Sequence, residues 1–124
     1  MTRITCFLLT DTGRMTAFDE AISSPIFRAE DGREFHIGFA QHPEVPRAPP
    51  GAMWLSKSGS GLVVRTPGGD WYVDQPSSSG GNWTRSGEPP NVTANPSILQ
   101  QNPSEYSGTR AYHGMLRSGV LEEC

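Results

Sequence analysis

A serine becomes a nucleophile only when a base lies within hydrogen-bond reach and a third group holds that base in the right tautomer. Ser97, in Asn95-Pro96-Ser97-Ile98, and His113, in Tyr112-His113-Gly114, are the pair in this chain that could meet the requirement. Asp74, at the end of an apolar stretch, could orient the imidazole, and Glu88 is a second choice. The chemistry would be hydrolysis through a covalent intermediate. Against it, no nucleophile-elbow glycines surround Ser97, and a polar stretch separates it from His113. The plainer reading makes Ser97 an ordinary strand serine and His113 a surface or interface residue.

A protein metal site would draw on His36, His42, His113, Cys6 and Cys124, and no two of these have structural-zinc spacing. The expectation is therefore no metal and no cofactor. The glycines at 59, 61, 68, 69, 80 and 81 do not sit between a strand and a helix start, and no Gly-Lys-Ser/Thr follows them, so they read as turn glycines. Trp54, Trp71, Trp83 and Tyr112, with Tyr72 beside them, could form an aromatic binding surface. Large aromatics on successive strands are more often the core itself.

Stepping from these residues to what must position them, the pattern is one of short strands. Ile4 to Leu9 predicts a strand, ended by a turn at Asp11-Thr12-Gly13. Residues 15–24 fit a short helix or an irregular strand. Phe35, Ile37 and Phe39 alternate with Glu34, His36 and Gly38, which predicts a half-buried strand with His36 on its polar face. Asp31-Gly32 before it marks a hairpin with 26–29. Residues 41–51 carry four prolines and must cross the surface in extended form. Strands follow at 52–55, 62–66 and 71–74, the last two joined through Pro67-Gly68-Gly69. Residues 75–82 and 100–110 are polar loops, Gly87 to Asn91 forces a turn, and 92–99 is a strand whose Pro96 demands an edge or a bulge. A final hairpin turns at 117–119.

The sum is eight or nine short strands and at most one short helix. It predicts a single mostly-β domain over 1–124, a small antiparallel sandwich or partly open barrel with Gly/Pro-rich loops. Gly and Pro number 14 and 11, whereas Leu, Ile, Val and Phe together make up fewer than one residue in five. Three Trp, three Tyr and five Phe compensate with large buried areas. So thin a core suits a chain that leans on partner subunits.

Charge and hydropathy exclude other classes. Ten Lys and Arg against thirteen Asp and Glu, with no basic block, leave no footprint for nucleic acid. No run reaches the ~18 apolar residues of a membrane span, and the N-terminal run is too short for a signal peptide. Cys6 and Cys124 could pair only if the termini meet, and free thiols are the default in a reducing compartment. Asn82-Trp83-Thr84 and Asn91-Val92-Thr93 match the glycosylation sequon, which matters only for a secreted chain.

Pro50-Gly51-Ala52-Met53-Trp54, Leu62 to Trp71, Trp83-Thr84-Arg85-Ser86-Gly87-Glu88-Pro89-Pro90-Asn91-Val92-Thr93 and Tyr112 to Leu121 resemble a set of small uncharacterised phage and prophage proteins. Arg3-Ile4-Thr5-Cys6-Phe7 looks like theirs too. The resemblance implies a virion component or a phage accessory protein, in a particle or the host cytoplasm. More distantly, the order Trp, Gly, Pro, Thr, Pro-Ser-Ile and a His-bearing strand is similar to a peptidase-like family found beside bacterial ubiquitin-like conjugation genes. That similarity would set the Ser97 and His113 strands side by side. The family's Cys-Pro-Cys-Gly is replaced here by Ser56-Lys57-Ser58-Gly59, so any role of those cysteines is missing. The expectation is a non-enzymatic binding or structural module, with a Ser/His hydrolase as the alternative.

Overall fold

The computed structural model describes residues 3–17, 23–38, 42, 44–56, 61–74, 84–100 and 112–123, with 17, 84 and 96–100 entering by their backbone. Eleven strands and no helix lie among them: β1 (Arg3–Thr5), β2 (Phe7–Ala17), β3 (Ser23–Ala29), β4 (Glu34–His36), β5 (Ala52–Leu55), β6 (Leu62–Thr66), β7 (Gly69–Tyr72), β8 (Thr84–Ser86), β9 (Thr93–Gln100), β10 (Tyr112–Arg117) and β11 (Val120–Glu123). They form a five-stranded sheet in the order β1-β11-β10-β9-β8 and a six-stranded sheet in the order β4-β3-β2-β5-β6-β7.

The predicted mostly-β architecture stands, with three corrections. Asp11-Thr12-Gly13 does not end a strand. It is a bulge inside β2, where the register against β3 shifts between Asp11 and Met15. The Asp11 carboxylate accepts the Gly13 amide at 2.9 Å, Thr12 Oγ1 donates to Ile26 O at 2.7 Å, and Gly13 takes φ 78°, a conformation that costs glycine little. The sheets are not wholly antiparallel, because β2 runs parallel to β5 through Phe7↔Ala52 and Leu8↔Met53. A helix at 15–24 does not form over its described part, since β2 continues to Ala17 and β3 begins at Ser23; residues 18–22 lie outside the described residues.

Several local expectations hold for the reasons the sequence gives. The Asp31-Gly32 turn joins β3 to β4, and Arg65↔Asp70 and Thr66↔Gly69 pair across Pro67-Gly68. Ser118 and Gly119 both take positive φ (48° and 79°), the two-residue mirror-image turn that matches strand twist. Pro96 lies in β9 beyond the stretch paired with β8, inside the register shift between Gly114/Leu116 and Ile98/Ala94. The bulge is thus the alternative realised, since β9 lies between β10 and β8 and not at the edge of its sheet.

Alternation along β5 and β6 divides the apolar residues between two clusters. Met53, Leu62 and Val64 face the five-stranded sheet, where they meet Val92, Ala94, Tyr112, Leu116 and Leu121 together with Cys6, Trp71 and Val73. Ala52, Trp54 and Val63 face the other way, onto Leu9, Phe27, Ala29, Phe35 and Ala48. The second cluster exists because the six-stranded sheet curls over its own face. β4 and β6 are four strand spacings apart, about 19 Å in a flat sheet. Yet Arg65 of β6 donates to the carbonyls of Ile37 and Gly38, just after β4. The sheet bends far enough for one side chain to join its two halves, without closing into a barrel.

Candidate functional site

The polar groups able to do chemistry gather around the curled sheet. Arg65 is the first. It is almost fully buried, its Nε donates to Asp70 Oδ1 at 2.8 Å, and its Nη1 donates to Ala48 O at 2.8 Å. Nη2 serves Ile37 O and Asp70, and the guanidinium lies 5.3 Å from the Trp54 ring centroid. A planar five-donor fork suits such a ring of carbonyls better than a lysine would. With its donors aimed at backbone and Asp70, this arginine is a staple of the fold. Sequence reasoning missed it, although a signal existed: a charge inside Leu62-Val63-Val64-Arg65-Thr66 with Asp70 placed to pair across the turn.

A second group joins β2, β3 and the segment after β4. His36 was expected on a solvated face. Its relative exposure is 0%, because the proline-rich segment returns along β4 and covers it. Pro46 O accepts the His36 amide at 3.0 Å, and Ala48 N donates to His36 O at 2.9 Å. Around residues 46–49 the proline-rich stretch thus runs alongside β4, as a strap on its edge. His42 fastens the strap's start. Its Nδ1 accepts the amides of Glu44 and Val45, both at 3.1 Å, and its Nε2 lies 2.8 Å from Thr16 Oγ1.

Those bonds decide the chemistry. An Nδ1 that accepts two N–H groups carries no proton, so the proton of the neutral ring is on Nε2 and points at Thr16. A general base needs the opposite tautomer, with Nε2 free to accept the hydroxyl proton. The Thr16–His42 pair is therefore built the wrong way round for nucleophile activation. His36 Nδ1 likewise accepts the Gly38 amide, at 3.2 Å. Histidines that ligate a metal through Nε2 donate from Nδ1 instead. Among the described residues no three His, Cys, Asp or Glu side chains group as metal ligands would.

Of the predicted catalytic residues, Asp74 is tied to other groups, while Ser97 and His113 lie on neighbouring strands. Asp74 is committed to holding the layers together. Arg85, on β8 of the other sheet, donates from Nε to Asp74 Oδ1 at 2.7 Å, and the Leu62 amide donates to Oδ2 at 2.9 Å. Burial pushes this carboxyl up, but the Leu62 amide and Arg85 outweigh it and leave the pKa below the ordinary value. Register sets Arg85 level with Ala94 and Leu116, three residues along β10 from His113 and two strands away. β9 and β10 do pair, and His113 stands opposite Leu99, two positions along β9 from Ser97. His113 is exposed; the Ser97 side chain lies outside the described residues. Glu88 is exposed in the turn before β9, where its carbonyl accepts the Asn91 amide at 2.7 Å.

The aromatic surface is corrected. Trp54, Trp71 and Tyr112 are each nearly inaccessible, Trp54 in the curled cluster and the other two between the sheets. Only burial on both faces of β5 and β6 lets so thin a composition make two clusters, and the aromatics supply the area. Trp83 lies outside the described residues. Tyr72 does reach solvent, at 45% exposure on β7, the last strand of its sheet, with Leu55 (59%) on β5 and Met15 (52%) on β2 also out. Cys6 keeps a free thiol, and burial pushes its pKa up to about 12, despite a backbone hydrogen bond involving Leu121 that opposes the rise.

Fold and side chains together define a two-layer β-protein whose visible polar groups fasten backbone to backbone. No protein-family model, curated protein or solved structure matches the chain.

Proposed function

We propose that this chain is a binding or structural module that assembles with partner subunits, of the kind its phage-like wording implies. One observation carries the reading: among the described residues β7 ends the six-stranded sheet and holds Tyr72 outward beside that end. The end strand of a sheet, with an aromatic beside it, is a usual means by which β-domains add a neighbour. Val63, directly across from Tyr72, is fully buried, so the tyrosine marks where the apolar surface reaches solvent. The test is solution mass across a dilution series, for the wild type and Tyr72→Ser. A discrete oligomer that the substitution weakens supports the reading, and a monomer at all concentrations that also ignores partner subunits overturns it.

The pairing of β9 with β10 favours one second reading, a hydrolase using Ser97 and His113. It requires Ser97→Ala and His113→Ala each to abolish a measured hydrolysis while the unfolding midpoint stays put. It also requires an orienting group other than Asp74.

A further inference from the structure

We propose that residues 44–48, fastened by His42, form a strap on the β4 edge that acid releases. The strap is held at both ends. At its start, His42 Nδ1 accepts the Glu44 and Val45 amides and Nε2 donates to Thr16 Oγ1 on β2. At its end, Pro46 O and Ala48 N bond to His36 of β4, and Ala48 O accepts from Arg65. The far end is held by backbone groups and by Arg65, whereas the near end depends on one ring nitrogen being unprotonated.

A proton on His42 Nδ1 converts an acceptor into a donor that faces two donors. Both turn bonds are then lost, because an N–H cannot accept an N–H. His36 stands beside it, with its ring centroid 6.4 Å away and its Nδ1 accepting the Gly38 amide, so a charge on His42 would face a buried imidazole rather than a carboxylate. The ionisable groups of the neighbouring elements, among the described residues, do not replace the lost bonds. Thr16 of β2 and Ser24 of β3 are neutral and buried. Arg14 and Arg28 are tied to Glu34 in one surface cluster. Glu44 and Arg47 ride on the strap itself, Glu44 exposed. Release would bare the His36 N–H and C=O on the β4 edge, groups the strap now pairs. The inference stands apart from the assembly reading, since it concerns the strap's own bonds.

The test is amide hydrogen exchange by NMR on the full chain at pH 7.5 and pH 5, as protection relative to the unstructured rate. Protection of Glu44, Val45 and Ala48 should fall at least about tenfold at pH 5, the scale of losing one or two modest hydrogen bonds. Val64 and Leu116 should keep theirs. His42→Asn supplies a side-chain oxygen that caps amides two residues on without titrating, so its strap should be equally protected at both values. Thr16→Val removes the β2 fastening alone, and should lower protection at both pH values while keeping the pH response. At pH 7.5 the wild-type ring should show its proton on Nε2. Unchanged wild-type protection at pH 5, or the same fall in His42→Asn, overturns the proposal.

Discussion

The two apolar clusters are made from alternate residues of the same strands, yet they are different kinds of core. Between the sheets, Met53, Leu62, Val64, Trp71, Leu116 and Leu121 pack as a layer of side chains, and cohesion comes from area removed from water. Under the curl, Trp54, Val63, Phe27 and Phe35 share the interior with Arg65, His36, Thr66, Thr16 and Ser24. Burying that much polarity is tolerable because Arg65, Thr66, Thr16 and the Nδ1 of His36 are given partners, and those partners are largely backbone carbonyls and amides. One core is therefore specified by hydrophobic pattern and the other by geometry. The first should tolerate exchange of similar volumes, and the second should not.

The largest expected effect is at the centre of the second core. Arg65→Met removes the buried cation and strands Asp70 and three carbonyls, and should cost about 3–5 kcal/mol in denaturant unfolding. Restoring packing with the methionine side chain should recover little of it. If Arg65→Met were near neutral, the curled core would be ordinary packing, no different in kind from the core between the sheets.

In the first core, Leu116→Ala should cost about 2–4 kcal/mol by transfer and cavity terms. Leu116→Met should cost under about 1.5 kcal/mol, since a volume-conserving exchange suffices there. A Met substitution as costly as Ala would show the interlayer core to be equally exacting.

Asp74 joins the layers at their rim and allows a signed pH test. Its folded pKa lies below the unfolded value, so it contributes stability that is full above the unfolded carboxyl range near pH 4 and is lost as pH falls through the folded pKa. Asp74→Asn should cost about 1 kcal/mol at pH 7 and correspondingly less at pH 2–3, flattening the acid limb of the stability profile. A full-size loss persisting at pH 2 would mean that packing, not charge, holds the rim. The smallest effect concerns reactivity. Cys6, held mostly neutral inside the apolar core, should react with a thiol-specific chromogenic disulfide only as fast as the core opens, and reaction should rise with added denaturant.

Much of this molecule could be read along the chain. Phe35 beside Asp31-Gly32, Leu62 to Thr66 before Pro67-Gly68, and Arg117 to Val120 around Ser118-Gly119 each mark a strand and its turn through contacts only a few residues long. Period-2 alternation and positive-φ turn residues are local properties, so they survive without knowledge of the neighbours. The long strand through Asp11-Thr12-Gly13 did not read correctly, because a bulge and a turn use the same residues and only the presence of β3 alongside decides between them.

Backbone stereochemistry and residue spacing were enough to determine most strands, most turns and a proline segment that is neither helix nor central strand. Tertiary structure alone decided that β2 lies parallel to β5, that the sheet curls, and that the proline segment returns to β4. Those three outcomes bury His36, Arg65 and Trp54, while the stacking of the two sheets joins Asp74 to Arg85 and turns Trp71 and Tyr112 inward. A side chain's chemistry depends on what surrounds it, and here the surroundings come from residues far away in the chain.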